Sequence, residues 1–477
     1  MRKVTADRSW PLFDVDTTRR IERAAAASLP PNALMQRAGL TVARLALAIA
    51  PHARSVWIAC GPGNNGGDGM EAALHLRRWG REVTLTLEGR PESLPPDAAA
   101  AWARCVPAGI TPCPQAPASW DLGIDALLGI GHSRPLASGM ALAVRTLNAG
   151  PAPVLAVDVP SGLAADTGNG DSVRATYTVC LLTLKPGLFT ARGRDAAGQV
   201  WLDDLGIAAP TGPTAWLAGP PPRWQRPHAT HKGNYGDVAV IGGAPGMAGA
   251  AVLAASGALH AGAGRVFLAL LDGAGPGLVS GQPELMLRDW RGLPLEDVTV
   301  ACGCGGGPVI ADVLPEILRR SARLVLDADG LNAVASSHAL QELLLARAAR
   351  GAATVLTPHP LEAARLLAST TGAVQADRLQ ATRTIAERFG CAVVLKGSGT
   401  VVAAPGRVPT INPTGNARLA TGGTGDVLAG MVAAALAAGA GAFEGAGAAV
   451  YGHGALADAW PAGRPLTAGA LAAGRPD

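Results

Sequence analysis

A glycine-rich turn followed by an acid has the residue types needed to bind a phosphate and act on it. Gly422–Gly425 (G-G-T-G) precedes Asp426, and an apolar segment typical of a helix begins at Val427. Backbone N–H groups at a helix start attract anions, and small residues leave them accessible. A carboxylate there would be repelled by the phosphate unless it takes a proton from an attacking hydroxyl. Because 62 of the 477 residues are glycine, a plain turn with Asp426 as helix cap is the alternative.

Lysine is rare in this chain, which favours arginine as its cation. Only four of the 40 Lys and Arg residues are lysines, namely Lys3, Lys185, Lys232 and Lys396. Each of the few lysines is therefore a candidate for a specific functional role. Lys396 begins a K-G-S-G-T turn between two apolar strands. Its charge and the backbone N–H groups of such a turn suit nucleotide phosphates.

Composition indicates a globular chain of two or three domains. The 477 residues are 48% hydrophobic and 16% charged, which allows sizeable cores and excludes a disordered protein. A net charge of +4 is too small and too scattered to predict nucleic-acid binding. Seven irregularly spaced cysteines and no apolar signal segment in 1–16 lead us to expect a cytoplasmic protein. The uncharged stretches 238–264 and 427–443 are interrupted by Gly or Pro, so we predict packed helices and strands and no membrane span.

The first half opens its sheet with a strand, a glycine loop, a helix and a second strand, predicted at 55–60, 61–69, 70–79 and 82–87. The loop contains G-x-G-x-x-G, and Glu88 follows at about the spacing of a ribose-binding acid. A nicotinamide-dependent dehydrogenase is therefore one interpretation.

The polar side chains of that loop favour another interpretation. Asn64, Asn65 and Asp68 crowd a turn that a dinucleotide-binding loop keeps small. Their oxygens suit a hard cation or a polar ligand. Two more strands that lead into loops carry acids, since Asp125 lies within 121–128, before the loop 129–135, and Asp158 directly follows 154–157. Ligands bind beyond the carboxyl ends of parallel strands, so these residues predict one site, although each acid alone is as typical of a turn cap.

The second half repeats the alternation of strand and helix. Glycine loops follow predicted strands at 237–241 and 300–303, and two acids end the strand at 324–326. Pro358 and Pro360 fix His359 in an extended turn before a helix, where a lone histidine is as often a cap as a ligand. This pattern predicts a doubly wound α/β domain in each half. The proline-rich break at 211–227 predicts a linker between domains 1–210 and 228–477.

The motifs of the first half resemble the NAD(P)H-hydrate epimerase domain. They are L-M-Q-R-A-G (34–39), G-P-G-N-N-G-G-D-G (61–69), D-A-L-L-G-I-G (125–131), V-D-V-P-S-G (157–162) and T-L-K-P-G (183–187). The resemblance implies a Rossmann-like three-layer domain that interconverts the R and S forms of NADHX and NADPHX. It implies that Asp158 contacts the substrate as acid or base, and that potassium is held by Asn65, Asp125 and Ser161. Its substrate-binding loops would be Asn64, Asn65, Gly66, Gly67 and Asp68, with Gly129, Ile130, Gly131, His132, Ser133, Arg134 and Pro135.

The motifs of the second half resemble the ADP-dependent NAD(P)H-hydrate dehydratase of the ribokinase-like superfamily. They are H-K-G-x-x-G (231–236), G-G-x-x-G-M-x-G-A (242–250), D-A-D-G-L-N (327–332), T-P-H-P-x-E-A-A-R-L-L (357–367), K-G-x-G-T (396–400) and T-G-G-T-G-D-V-L-A-G (421–430). The resemblance implies that Asp426 is the base and that Ala250, Gly305 and His359 contact the hydrate. It implies an adenine nucleotide, ADP or ATP, held by Lys396, Gly397, Ser398, Gly399, Thr400 and Gly425. Leu361 and Gly306 depart from the family pattern, which concerns pocket shape more than chemistry.

Together the two resemblances predict a bifunctional enzyme. The first domain would epimerise the hydrate, and the second would dehydrate the S form with ADP and Mg²⁺, releasing AMP and phosphate. We expect no nucleic-acid or membrane partner, and a homo-oligomer. A ribokinase-like small-molecule kinase, a dehydrogenase and a non-catalytic nucleotide-binding protein are the alternatives.

Overall fold

The computed structural model describes residues 1–131, 136–208, 212–222, 227–273 and 278–474. The chain divides into two compact units. The first comprises Met1–Thr5 and Trp10–Trp216, and the second comprises Ala6–Ser9 and Leu217–Asp477. The division falls inside the predicted linker 211–227, where the structure also forms a strand at Ala215–Leu217. The domain limits 1–210 and 228–477 remain a prediction.

The first unit contains an eight-stranded sheet. In spatial order its strands are Arg2–Lys3, Gln199–Asp203, Tyr177–Leu181, Val154–Val157, Leu122–Ala126, Ser55–Cys60, Glu82–Leu87 and Pro112–Cys113. All pairs are parallel except Arg2–Lys3, which runs antiparallel to Gln199–Asp203. The chain winds from Ser55–Cys60 towards one edge and then returns to build the other side from Leu122–Ala126. The carboxyl ends of these two strands form the crevice in which such sheets bind ligands.

Helices cover both faces of this sheet. They are Val15–Ser28, Ala33–Ile49, Asn64–Arg78, Pro96–Cys105, Ser138–Ala149 and Gly193–Ala196. Successive side chains of the strand Ser55–Cys60 pack on opposite faces of the sheet. Val56 and Ile58 belong to one core cluster, while Trp57 and Ala59 belong to another. The predicted doubly wound three-layer fold is confirmed.

The second unit contains a larger mixed sheet. In spatial order its strands are Met286–Leu287, Arg265–Leu270, Asp237–Gly242, Thr299–Cys302, Arg323–Leu326, Ala353–Leu356, Ala392–Leu395, Val401–Ala403 and Thr410–Ile411. The first seven are parallel, and the last two join as an antiparallel extension. Here the winding reverses between Asp237–Gly242 and Thr299–Cys302. Two further short strands of the chain are Trp10–Leu12 and Ala215–Leu217.

The helices of the second unit are Ala248–His260, Ile310–Arg320, Ala328–Ser336, His338–Ala349, Pro360–Leu366, Thr371–Ala376, Arg378–Phe389, Thr424–Ala437, Ala442–Asp458 and Ala468–Ala473. Two of these helices, Ala248–His260 and Thr424–Ala437, pack closely against each other because glycines lie at their contact. They contain much of the uncharged sequence. A Cβ added at Gly257 would lie 2.5 Å from the carbonyl oxygen of Val427, and one at Gly430 would collide with that of Ala254. Within the described residues, no helix has the length and apolar character needed to cross a membrane.

Two helices begin earlier than the sequence predicts. We expected a helix from Met70, but it starts at Asn64, so the N-N-G-G-D residues form its first turns. Likewise the helix predicted from Val427 starts at Thr424, which brings Asp426 into its first turn. Glycine is a weak helix former, so propensity predicts a loop at both places. Tertiary packing overrides it, because Gly66 lies against the backbone of Gly61 with no room for a Cβ.

Candidate functional site

The crevice of the first sheet opens into a cavity of about 600 Å³. The cavity lies beyond the strands Ser55–Cys60 and Leu122–Ala126, where their carboxyl ends meet. Of the predicted epimerase residues, those that line it are Asn64, Asn65, Asp68, Gly129, Ile130, Gly131 and Asp158. Gly66 and Gly67 are buried in the packing of the helix start. The predicted positions His132, Ser133, Arg134 and Pro135 lie outside the described residues.

Asp158 and Lys185 form a buried ion pair in the wall of this cavity. Lys185 Nζ donates to Asp158 Oδ1 and also to the carbonyl oxygen of Leu181, at 2.9 Å in the second case. Burial opposes the charge on Lys185, yet the charge of Asp158 raises the Lys185 pKa above its ordinary value. Asp158 has a backbone φ of +69°, which non-glycine residues rarely adopt. The pair thus holds the Asp158 carboxylate in a fixed position at the strand end.

Gly129 brings the predicted loops together. A Cβ placed on it would lie 3.2 Å from Asn65 Oδ1 and 3.3 Å from Asp158 Oδ2. The absence of a side chain here lets the amide and the carboxylate share one end of the cavity. The three predicted residues therefore converge, although Asn65 and Gly129 are 64 positions apart in the chain.

Asp125 and Ser161, two of the predicted potassium ligands, are fully buried and bonded to each other. Asp125 Oδ2 accepts from Ser161 N at 2.8 Å, and Oδ1 accepts from Ser161 Oγ at 2.5 Å. Burial raises the pKa of the Asp125 carboxyl to about 6, against the effect of these hydrogen bonds. The third predicted ligand, Asn65, has a buried amide nitrogen without a partner in the described structure. Amide oxygen and nitrogen are assigned from hydrogen bonding, so a cation on this group would fix the oxygen inward.

Two more carboxyl groups face this cavity from different helices. Asp68 comes from Asn64–Arg78, and burial, followed by the charges of Asp158 and Glu22, raises its pKa well above the ordinary value. Glu22 comes from Val15–Ser28, and burial, followed by the charge of Asp158, raises its pKa as well. The site thus combines the carboxylate of Asp158, which is paired with Lys185, with two carboxyls whose pKa values are raised.

In the second unit, Asp426 lies in the first helical turn beside two side chains from neighbouring strand ends. Its carboxylate, the Cys304 thiol and the Asp327 carboxylate all have ligand atoms within 4.8 Å of one another. Burial, followed by the charge of Asp327, raises the pKa of Asp426 to about 6. Burial also keeps the Cys304 thiol protonated by raising its pKa, so the thiol donates its hydrogen bond to Asp426.

Lys396 connects this acid cluster to the glycine turn. Its Nζ donates to Asp327 Oδ1 at 2.7 Å and lies 3.9 Å from Glu362 Oε2. A Cβ added at Gly425 would be 3.3 Å from the same Nζ, so the ammonium group lies at the start of the helix. Burial opposes its charge, but Asp327 and then Glu362 raise its pKa overall. A cation and free N–H groups thus meet where the sequence predicts an anion site.

A buried arginine stabilises the Lys396 turn by hydrogen bonds to its backbone. Arg378 donates to the carbonyl oxygens of Leu395 and Lys396, both at 3.2 Å. Inside the turn, Thr400 Oγ1 donates to the Gly397 carbonyl at 3.1 Å. Both Gly397 and Gly399 have positive φ, and Gly397 and Ser398 are exposed. Of the predicted nucleotide-binding residues in this turn, Gly397 and Ser398 are therefore accessible on a fixed support, whereas Gly399 is buried.

His359 caps the helix Pro360–Leu366. Its Nδ1 accepts from the backbone N–H groups of Leu361 and Glu362, at 3.1 and 3.2 Å. The proton of the neutral ring therefore resides on Nε2, which lies 3.3 Å from Glu362 Oε1. Burial, opposed by the charge of Lys396, raises the pKa of Glu362 to about 7. His359 is half-exposed, so it can cap the helix and also offer an N–H to a ligand.

The remaining predicted contacts of this half lie at the reversal point of the sheet. Gly305 has a φ of +58°, and a Cβ on it would be 3.0 Å from the Cβ of Ala250. Gly306, a departure from the family pattern, is packed against Ile310, and Leu361, the other departure, is exposed.

Two family models match the chain. One, described as NAD(P)H-hydrate dehydratase, matches residues 238–473, and one described as YjeF-related protein N-terminus matches residues 31–187. The bifunctional NAD(P)H-hydrate repair enzyme Nnr of Escherichia coli (strain K12) is 36% identical, over 96% of this chain and 91% of its own. The chain belongs to the bifunctional NAD(P)H-hydrate repair enzymes. A second member of the family, from Coxiella burnetii, is 35% identical over 88% of this chain and 89% of its own.

Among solved structures, an ADP/ATP-dependent NAD(P)H-hydrate dehydratase from Bacillus subtilis, co-crystallized with ATP/Mg2+, is 28% identical. It covers 52% of this chain and 90% of its own, with a TM-score of 0.43. The predicted family and its bifunctional character are confirmed, and membership sets aside the kinase and dehydrogenase alternatives.

Sequence reasoning missed parts of the site of this repair enzyme. The chain motifs did not identify Glu22, Glu362 or the Cys304 contact, and they left Lys185 and Asp327 without a role. For Lys185 a signal existed, since it is one of four lysines among 40 basic residues. Two of those four, Lys185 and Lys396, are paired with buried strand-end aspartates.

Proposed function

We propose that this chain performs both repair reactions, each in its own unit. Epimerisation would take place in the cavity beside Asp158, and dehydration would take place at Asp426, within domains 1–210 and 228–477. The observation that carries the second assignment is the position of Lys396 Nζ, beside Gly425 at the helix start and bonded to Asp327. A nucleotide phosphate would find a cation and free N–H groups there, next to a carboxylate able to act as base.

The dehydration begins with proton transfer. Asp426 takes the proton of the ring hydroxyl, whose oxygen then attacks the terminal phosphorus of ADP, and AMP leaves. The resulting phosphate ester is a far better leaving group than hydroxide. The lone pair of the ring nitrogen drives cleavage of the carbon–oxygen bond, and phosphate departs. Loss of a proton from the neighbouring ring carbon then restores the dihydronicotinamide.

Roles for the other second-unit residues follow from their positions. Lys396 and the N–H groups of Gly397–Thr400 and Gly425 would hold the phosphates, while Ala250, Gly305 and the Nε2–H of His359 would contact the hydrate. Mg²⁺ would reduce the charge repulsion among the phosphates. Asp327 would supply a carboxylate oxygen to it, because a hard cation prefers carboxylate oxygens to the Cys304 thiol.

In the first unit, Asp158 would exchange a proton with the substrate while Lys185 holds its carboxylate in place. K⁺ would fit Asp125, Ser161 and Asn65, because the first two are fully buried oxygen ligands and Asn65 has a buried amide nitrogen without a partner among the described residues. It would supply positive charge and orientation at the substrate end of the cavity. The predicted loop contacts at Asn64–Asp68 and Gly129–Pro135 would hold the hydrate.

We further propose NADHX or NADPHX and an adenine nucleotide as ligands, with no nucleic-acid or membrane partner, in a cytoplasmic homo-oligomer. In the decisive experiment, the chain is incubated with an equal mixture of the R and S epimers of NADHX, together with ADP, Mg²⁺ and K⁺. We expect reduced nicotinamide to appear with an equal amount of phosphate until both epimers are consumed. Formation of a stable phosphate ester, or reduced cofactor without phosphate release, would contradict the proposal.

A further inference from the structure

Glu22 faces the first cavity although no recognised motif contains it. It lies on the helix Val15–Ser28, before the family match that begins at residue 31. Its carboxyl is partly buried and lines the same cavity as Asp158 and Lys185. Among the described residues it has no hydrogen-bond partner. A partly buried carboxyl without a hydrogen-bond partner is available to a ligand in the cavity.

The helix holds Glu22 in a fixed position. Asp14 caps its start by accepting from Thr17 N at 2.8 Å. Thr18, one turn before Glu22 on the same face, bonds through its hydroxyl to that of Thr183 at 2.7 Å. Thr183 precedes Lys185 by two residues, so the bond fastens this helix face to the segment that holds Asp158. Glu22 and the Asp158–Lys185 pair are therefore parts of one rigid wall.

The epimerisation proposed above needs a proton donor, and the inference rests on that proposal. Inverting the ring carbon requires its bond to the hydroxyl oxygen to break and to form again on the other face. The ring nitrogen supplies the electron pair that becomes the carbon–nitrogen double bond. The oxygen must receive a proton to leave as water. Asp158 already accepts a hydrogen bond from the Lys185 ammonium group, and this arrangement suits it to receive a proton and not to supply one.

We propose that Glu22 is the general acid of epimerisation. It donates its proton to the departing hydroxyl, which leaves as water while the cationic ring intermediate forms. A water on the opposite face then adds to the same carbon and gives its proton to Asp158. One proton leaves Glu22 and one reaches Asp158, and exchange with solvent restores both groups.

The charges around Glu22 support this role. Burial and the acids Asp158 and Asp97 disfavour its ionised form, while Lys185 and Arg19 favour it. Asp68 faces it from the helix Asn64–Arg78 and is itself driven towards the neutral form. The balance raises the pKa of Glu22, which extends the pH range in which it holds a proton.

The test uses the full chain and purified R-hydrate without adenine nucleotide, so that epimerisation is followed alone by chromatographic separation of the epimers. Glu22→Gln should lower kcat by about 10²–10⁴-fold with little change in KM. Wild-type kcat/KM should fall as the pH rises through the pKa of Glu22, and the variant should lose this alkaline limb. Glu22→Asp should retain the limb at a reduced rate. Dehydration of purified S-hydrate with ADP should be unchanged in both variants.

Asp97→Asn is the matched control, since it removes an exposed carboxyl at the rim of the same cavity and should keep the alkaline limb. A Glu22→Gln variant that epimerises at the wild-type rate or keeps the limb overturns the proposal. Loss of the alkaline limb in Asp68→Asn but not in Glu22→Gln also overturns the proposal, because the proton donor would then be Asp68. A wild-type chain that does not epimerise at all would refute the proposed function itself.

Discussion

Lys396 Nζ donates to Asp327 Oδ1 at 2.7 Å while standing beside Gly425, at the start of the helix that carries Asp426. One ammonium group thus joins two strand ends to the anion-binding turn. Asp327 is 1% exposed, so the pair is shielded from water and its geometry matters. This pairing explains why position 396 is a lysine although most of the basic residues of the chain are arginines.

We expect Lys396→Arg to weaken adenine-nucleotide binding at least tenfold although the charge is kept. The planar guanidinium is larger than the ammonium group, whose Nζ already lies 3.3 Å from the position of a Cβ on Gly425, so it cannot keep the same contacts. Calorimetric titration of ADP measures the dissociation constant. Lys232→Arg is the control, because Lys232 is exposed and its substitution should leave binding unchanged. Equal affinity in the Lys396 variant and the wild type would show that a point charge suffices.

The raised pKa of Asp426 predicts an acid limb in the dehydration rate. A base must be deprotonated, so kcat/KM should fall about tenfold per pH unit below a pKa of about 6 and level off above it. Asp426→Asn should bind ADP normally and lose about 10²–10⁴-fold in turnover, with no acid limb in the residual rate. The measurement is initial-rate kinetics with S-hydrate from pH 5 to 8. A limb that persists in the variant would assign it to another group, with Glu362 the first to test.

Helix packing in the second unit predicts opposite effects for two glycine substitutions. Gly430→Ala should destabilise the chain by about 1–3 kcal/mol or more, because the added methyl group collides with the backbone of Ala254. Gly447→Ala lies inside the helix Ala442–Asp458 with open space around the added Cβ, and should stabilise by about 0.5–1 kcal/mol. Denaturant unfolding of both variants gives the free energies. A stable Gly430→Ala variant would mean that the two helices can separate without loss.

The sequence predicted local structure well and distant pairing poorly. The strands at 55–60 and 154–157 have the predicted limits, since apolar runs between turns identify buried strands. The helix starts at Asn64 and Thr424 were missed because glycine propensity favours a loop. The pairs Asp158–Lys185 and Asp327–Lys396 join residues 27 and 69 positions apart. Periodicity has no information on such contacts. The rarity of lysine pointed to one residue of each pair and the strand-end position to the other, but neither signal showed that they pair.

The two sites should be separable by substitution. Each has its own sheet, its own reversal point and its own buried lysine–aspartate pair. Asp158→Asn should abolish epimerisation and leave dehydration of pure S-hydrate at the wild-type rate. Asparagine is the informative choice because it tolerates the φ of +69°, whereas alanine would add strain of about 1 kcal/mol or more.

With an equal mixture of the two epimers, the Asp158→Asn variant should quickly repair about half of the hydrate. The rate should then slow to that of spontaneous epimerisation. Asp426→Asn should do the reverse, equilibrating the epimers without forming reduced cofactor. Chromatography of the epimers and absorbance of the reduced nicotinamide measure the two activities in the same sample. Thermal unfolding of each variant checks that Lys185, left without its counter-charge, has not unfolded the first unit. Loss of S-hydrate dehydration in a folded Asp158→Asn variant would show that the reactions depend on each other, against separate sites.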